Sequence, residues 1–332
     1  MNICLVSRYF NNRNGGLGIY SENLLKELLD TEHQIDVVQS TEDQNTLRYL
    51  LWTALTIKLD IPKYSDIYHA LSPWEAIWLP KNKSNIVTYH DFMPIKYSAE
   101  VYRNVVKRVG GKELFKLAMR RTNNRADYIL VNSQQTKQEA EKHLDFDSSE
   151  IKITRLGISS DLESGRTEKN KDFKIGTLGR LSPRKRTHKF AKLFSKTDMD
   201  AELHIAGKGK ELQKLRQLDD NRIKLHGFIP EEQKNKYLNS LDLFVLPSRL
   251  EGYGLTVVEA MKTKTPVAVA EDCLIPKDVK EKCYSFNLNK KDIKDLVNIN
   301  KTKEGSYEFA KKHTWKNCSK KTLETYEEVF NE

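Results

Sequence analysis

The sequence predicts an α/β protein of two halves, each a mostly parallel sheet with helices on both faces, and three observations predict it. Short apolar runs alternate with helical patterns in the first half, the same plan repeats in the second, and a polar stretch lies between them. The length agrees: 332 residues amount to about two domains, and 38% hydrophobic residues can fill two ordinary cores.

In the first half the strands are Ile3–Val6, Ile35–Val38, Ile67–Ala70, Ile86–Tyr89 and Tyr128–Val131. A helix from Leu17 to Leu29 follows the first strand, and another opens at Ser133 after the last. The second half gives Phe173–Leu178, Glu202–Ala206, Ile223–His226, Leu243–Leu246 and Val267–Ala270. Between them SSDLESGRTEKNKD, Ser159 to Asp172, has the composition of a linker, so the domains are placed at residues 1–160 and 161–314. The last helix, from about Trp315 to Phe330, sets Trp315, Cys318, Thr322, Tyr326, Val329 and Phe330 on one apolar face. Such a face must dock, and the first domain is its expected seat.

Composition narrows the function classes. The apolar stretch Tyr49 to Ile57 is far below the roughly 20 residues of a spanning helix, and MNICLVSRYF lacks the layout of a signal peptide. Cys4, Cys273, Cys283 and Cys318 show no CxxC spacing and no histidine partner for zinc, which reads as reduced cytoplasmic thiols with no disulfide or structural metal. The net charge of +10 is uneven. Between Lys96 and Arg125 stand nine basic residues (Lys96, Arg103, Lys107, Arg108, Lys112, Lys116, Arg120, Arg121, Arg125) against Glu100 and Glu113. Such a segment suits nucleic acid, an anionic membrane surface, or water alone.

In open parallel sheets ligands bind at the carboxyl ends of strands, where loops lead into helix N-termini. Four motifs lie there. Gly15, Gly16 and Gly18, in NGGLGIYSENLLKEL, start the first helix and let the backbone approach an anion. The spacing is GGxG, and SRYFNNRN intervenes after the strand, which disfavours a nicotinamide site. His90 and Asp91 end the strand IVTYHD, where a histidine can donate to a phosphate or sugar oxygen. FKIGTLGRLSPRKRTHKF puts Gly179, Arg180 and Lys185 before a helix opening near Thr187, a combination suited to a diphosphate, with Arg184 and Arg186 as competing cations. PSRLEGYGLTVVEAM puts Glu251, Gly252, Tyr253 and Gly254 on the next loop, the Leu255 amide at a helix N-terminus, and Glu259 one turn inside it. Glu259 stands among Leu255, Val257, Val258, Ala260 and Met261 and therefore needs donors: vicinal ribose hydroxyls or, more plainly, Lys262 or a helix terminus.

Together these residues resemble the donor site of the retaining GT-B enzymes of glycosyltransferase family 4 (glycosyl transferases group 1). PSRLEGYGLTVVEAM resembles the family's glutamate-x7-glutamate signature and GRLSPRK its GRLxxxK loop, with LHIAGKGKEL, IKLHGFIPEEQ and DLFVLPS in the family's order. The resemblance covers essentially the whole chain. It implies two Rossmann-like domains facing a central cleft, an amino-terminal acceptor domain and a carboxyl-terminal donor domain. By the same token Arg180 and Lys185 would neutralise the diphosphate, helped by Gly179 and the amides of Gly254 and Leu255. Glu251, beside Gly252 and Tyr253, would hold sugar hydroxyls, and Glu259 the ribose. Gly15 and Gly16 would approach the donor phosphate or the acceptor, and His90 would sit over the transferred sugar. The sequence departs from the pattern at Arg186, where the family usually has glycine, at KTKTPVAVAEDC after EAM, and at Leu156–Gly157, where Asn-Gly is common.

The function expected from this resemblance is transfer of a hexose from a nucleotide-diphosphate sugar to a glycan or lipid-linked acceptor, with retention of configuration. Preorganised cations would stabilise the departing diphosphate, with no metal and no other cofactor. Retention is attributed to front-face attack, in which the leaving phosphate takes the acceptor proton, so Glu251 positions the sugar and is not a nucleophile. Asp145–Phe146–Asp147 and Asp198–Met199–Asp200 lack the strand-end setting of a metal-dependent site. The basic Lys96–Arg125 stretch, with Trp52, Trp74 and Trp78 nearby, resembles surfaces that dock family members on anionic membranes, which places the protein in the cytoplasm and peripherally on the inner face of the membrane. The alternatives are a GT-B nucleotide-sugar epimerase and a non-catalytic protein binding anions or nucleic acid. The last leaves the paired glutamates unexplained.

Overall fold

The computed structural model describes all residues except 12–14, 40–56, 102–104, 166–171 and 332. The chain divides into two compact units, Met1–Gly157 with Trp315–Glu332, and Ile158–Thr314.

In the first unit the elements are β1 (Asn2–Val6), α1 (Gly16–Leu29), β2 (Gln34–Val38), β3 (Ile67–Ala70), β4 (Ser84–Tyr89), α2 (Val105–Asn123), β5 (Tyr128–Val131), α3 (Gln134–His143) and β6 (Ile151–Ile153). The strands form a six-stranded sheet in the order β2-β1-β3-β4-β5-β6, every pairing parallel. Parallel strands covered on both faces must be apolar along their length, and β3 and β5 are buried at every position. Ser133 caps α3 by accepting from the Thr136 amide at 3.1 Å, which is why the helix starts there.

The second unit repeats the plan with β7 (Phe173–Leu178), α4 (Thr187–Phe194), β8 (Ala201–Ala206), β9 (Ile223–Gly227), α5 (Glu231–Asn239), β10 (Leu243–Leu246), α6 (Leu255–Lys262), β11 (Val267–Ala270), β12 (Tyr284–Phe286) and α7 (Ser306–Lys311). Its six strands are also parallel, in the order β12-β11-β10-β7-β8-β9. The α/β reading holds. In each sheet the chain order reverses beside the first strand, between β1 and β3 and between β7 and β10. Such a reversal leaves a crevice outside the strand ends, where α/β sheets take ligands.

The expected linker is only partly a linker. Its start is docked on α5, where Glu163 N donates to Asn235 Oδ1 at 3.2 Å and Gly165 N to Asn239 Oδ1 at 2.8 Å. The last helix, α8 (Trp315–Asn331), lies along α1 in the first unit and buries Trp315, Cys318, Thr322, Tyr326 and Val329. Phe330, expected on that face, is exposed. Below the helix runs a buried polar chain: Tyr326 Oη meets His69 Nδ1 at 2.6 Å, His69 Nε2 meets Thr88 Oγ1 at 2.7 Å, and Tyr20 Oη meets the same Thr88 oxygen at 3.1 Å. Burial, with His90 adding to it, pushes the His69 pKa down to about 3.

Most of the basic segment is α2. Phe115 is its inward anchor, edge-on to Trp74 at 5.3 Å. Trp74 and Trp78 pack against the first unit's core, which removes them from the aromatic surface expected beside the basic residues, and Trp52 lies outside the described residues. Lys96 is spent on Glu139 at 2.7 Å, Lys116 on Glu113 at 2.7 Å, and Arg125 donates to the Leu79 carbonyl. Arg103 and the side chain of Lys107 lie outside the described residues. Outward, α2 exposes Val105, Val109, Leu114 and Leu117 together with Arg120 and Arg121. Among the described residues no helix is long and apolar enough to cross a membrane.

Candidate functional site

Two of the predicted loops meet at the reversal of the second sheet. The first leaves β7 at Gly179 and is tied to the loop after β8: Gly179 N donates to Ala206 O at 3.0 Å, and Leu181 N to Lys208 O at 2.9 Å. A Cβ on Gly207 would run into the Gly179 carbonyl, and one on Gly209 into the Leu181 backbone. The glycines of LHIAGKGKEL therefore exist to let one loop lie flat on the other. The second loop leaves β10 at Pro247 and enters α6 through Gly254, whose φ of 87° and lack of room beside Ile275 suit glycine.

Lys185 and Glu251 come together across these loops. The ammonium lies 2.7 and 2.8 Å from the two carboxylate oxygens, and Glu251 is buried. Arg184 stands 3.8 Å from the same carboxylate and donates to the Leu250 carbonyl. Arg180 is exposed, with no ion-pair partner among the described residues. Gly179, Arg180, Lys185, Thr177 and Ser248 line one small cavity. Ser248 is fully buried and its Oγ has no partner among the described residues. Tyr253 is turned inward, and its hydroxyl donates to His313 Nε2 at 2.5 Å, since the other ring nitrogen gives its proton to the Phe309 carbonyl.

Arg186 is no competitor for a phosphate. It donates through Nε to Pro247 O at 2.7 Å and through a terminal nitrogen to Ser248 O at 2.8 Å, and forks the Asp272 carboxylate at 2.8 and 2.7 Å. It is thus the clamp that joins the two loops. Arg186, with Arg249 at 3.0 Å, holds the Asp272 carboxyl down at a pKa of about 2.

Glu259 is buried on α6, as expected, but Lys262 is not its partner. Lys262 lies over the Tyr307 ring at 5.8 Å, while Glu259 Oε1 accepts from Lys234 Nζ at 2.7 Å. Glu259 Oε2 is buried without a partner among the described residues. Lys234 was missed in the sequence, although EEQKNKYL carries the signal: Lys234, Tyr237 and Leu238 are spaced as the inner stripe of α5 and all are buried.

In the first unit, Gly15 forms the N-cap of α1 with φ 75°, and among the described residues nothing lies within 4 Å of where a Cβ on Gly15 or Gly16 would stand. His90 follows β4, half-buried, its ring edge-on to Tyr20 at 4.8 Å and its carbonyl accepting from Asn132 Nδ2 at 2.8 Å. Nε2 lies 3.0 Å from the Leu71 carbonyl, which can only accept, so Nε2 carries the proton and Nδ1 the lone pair. Burial pushes the His90 pKa down to about 4, against the pull of that carbonyl.

Residues 14–162 match the family model described as Glycosyltransferase Family 4, and residues 160–308 the one described as Glycosyl transferases group 1. The fold is shared with the Anabaena HepE structure in complex with UDP and glucose, at TM-score 0.71 and 14% identity over 98% of this chain and 99% of that one. The chain is a GT-B glycosyltransferase. This glycosyltransferase is also 24% identical to an uncharacterised glycosyltransferase of Methanocaldococcus jannaschii over 95% of each chain. It is 24% identical to the O-antigen chain mannosyltransferase RfbU of Salmonella typhimurium over 71% of this glycosyltransferase and 66% of RfbU.

Proposed function

We propose that this glycosyltransferase moves a hexose from a nucleotide-diphosphate sugar to a glycan or lipid-linked acceptor, with retention of anomeric configuration. One observation carries the reading: at the reversal between β7 and β10, Arg180, the Lys185–Glu251 pair and the amino end of α6 converge, and one turn into α6 stands a buried carboxylate with an oxygen to offer. The names of HepE's ligands, UDP and glucose, and of RfbU's role in O-antigen chains are in keeping with it.

In this reading the donor exchanges part of the Lys185–Glu251 pair. Diphosphate oxygens take up Lys185 and sugar hydroxyls donate to Glu251, so each member of the opened pair is matched again. Arg180 and the first amides of α6 add positive potential as the leaving diphosphate gains charge, with no metal or other cofactor in the scheme. Gly179 takes a φ of 148°, which a side chain would strain, at the start of the loop that carries Lys185. Glu259 Oε2 accepts from the ribose. His90 offers Nδ1 to a hydroxyl of the transferred sugar, with Gly15 and Gly16 giving room for backbone approach. A ring whose pKa is about 4 is a poor base at neutral pH, which agrees with the leaving phosphate taking the acceptor's proton.

The test is a panel of UDP-, GDP-, ADP- and dTDP-sugars, read as thermal stabilisation and as release of free nucleotide, with wild type beside Arg180→Ala and Glu259→Gln. Ligand that binds only the folded state raises the midpoint. One donor should stabilise the wild type and neither variant. Binding that survives both substitutions would move the donor away from these loops.

A further inference from the structure

Glu259 sits in a stretch of helix whose neighbours Val257, Val258, Ala260 and Met261 are each fully buried, so the helix is enclosed all round at this level. An ionised carboxylate there is costly unless a cation comes with it. The cation comes from a different element. Lys234 of α5 is only 8% exposed and reaches both Glu259 Oε1 and Glu231 Oε1 at 2.7 Å. Burial works against charge on Lys234, but Glu259 and Glu231 outweigh it and hold the ammonium above the ordinary lysine range. Burial pushes the Glu259 carboxyl up, Lys234 pulls it back only in part, and Glu231 adds to the rise. Among the described residues the charged groups facing Glu259 are Lys234 and Glu231 of α5, while Lys262 of its own helix is turned to Tyr307 of α7.

The pairing is one-sided. Oε1 is held by the lysine, and Oε2, equally buried, has no partner among the described residues. A carboxylate held by one oxygen cannot swing about its terminal bond, so the other oxygen points one way. We infer that Lys234 is a positioning residue of the donor site: it opposes protonation of Glu259 and ties down Oε1, so that Oε2 stands as the acceptor for a hydroxyl of the donor's ribose. This rests on the ribose reading of Glu259. Lys234 acts through Glu259 and makes no contact with the donor itself.

The experiment titrates UDP-, GDP- and ADP-glucose into the full chain between about pH 6 and 9, a range in which their diphosphate diesters hold no titratable proton. Lys234→Met should weaken binding by about tenfold at pH 7, because the uncompensated carboxyl takes a proton, accepts more weakly and is no longer held in place. The loss should shrink as pH rises and the carboxyl ionises, a slope steeper than any in wild type. Lys234→Arg should restore affinity and flatten the profile. Lys234→Gln, which keeps a donor but not the charge, shows the same slope if the methionine variant fails to fold. The double variant Lys234→Met, Glu259→Gln should bind no worse than Glu259→Gln alone. If Glu259→Gln weakens binding while Lys234→Met and Lys234→Gln stay within twofold of wild type at every pH, the lysine is not a positioning residue and the ribose reading stands. If Glu259→Gln binds as wild type does, or none of the three donors binds, the ribose reading falls and this inference with it.

Discussion

At Arg186 backbone and side chain pull in opposite directions. Its φ of 54° lies in the left-handed region, which costs a non-glycine residue about 1–2 kcal/mol. The guanidinium offsets this by holding the carbonyls of Pro247 and Ser248 and the Asp272 carboxylate. The departure from glycine thus becomes intelligible, though nothing in SPRKRTHK announces Asp272, 86 residues away. Glu251 and Glu259 were legible for a different reason: their spacing sits at a strand-to-helix turn, a local pattern. Their partners Lys185 and Lys234 are set by folding. The Asp272 carboxyl is depressed in the folded chain, from an ordinary 3.8 to about 2, so its contribution is present above about pH 4 and lost as pH falls toward 2. Asp272→Asn should therefore be less stable than wild type at pH 7, and the gap should close as pH drops through that window. A gap that stays constant with pH would show that the pair contributes nothing through charge.

Elements were read best where the chain is buried on both sides. β5, β10 and β11 fall at the expected residues because unbroken apolar runs leave little choice, and β3 and β7 do so despite His69 in one and Lys174 and Thr177 in the other. The two strands that escaped notice, β6 and β12, are three-residue edge strands, Ile-Lys-Ile and Tyr-Ser-Phe, too short and too mixed to stand out. The helix α2 was legible as basic but not as two-sided, since its amphipathic character depends on which residues Trp74 and Tyr89 cover. With Val105, Val109, Leu114 and Leu117 outward beside Arg120 and Arg121, we propose that this side seats the enzyme on an anionic bilayer. Wild type should cosediment with phosphatidylserine vesicles at low salt, and Arg120→Glu with Arg121→Glu should not. Absence of wild-type binding at low salt would remove the bilayer from the picture.

For the molecule as a whole, the first unit is discontinuous: α8 returns to it after the entire second unit has been made. Its seat is specific as well as apolar, because Tyr326 satisfies His69 at 2.6 Å in a place without water access. Tyr326→Phe should cost about 1–3 kcal/mol by leaving a buried imidazole nitrogen unpaired. Trp52, Trp74, Trp78 and Trp315 all belong to the first unit, so indole fluorescence during urea unfolding follows that unit alone. An unchanged midpoint would mean that apolar contact alone seats the helix.

The chain leaves the first unit after Gly157 and re-enters it at Trp315, and these two residues touch: a methyl group on Gly157 would strike the Trp315 backbone and indole. On the other side of the same crossing Ile158 bridges Thr314. Seen as genetic material, residues 158–314 are an insertion whose two ends share one doorway. A length of foreign coding sequence with equally close ends could replace them in a single exchange, and recombination at two points could give one first-unit scaffold a succession of different partners.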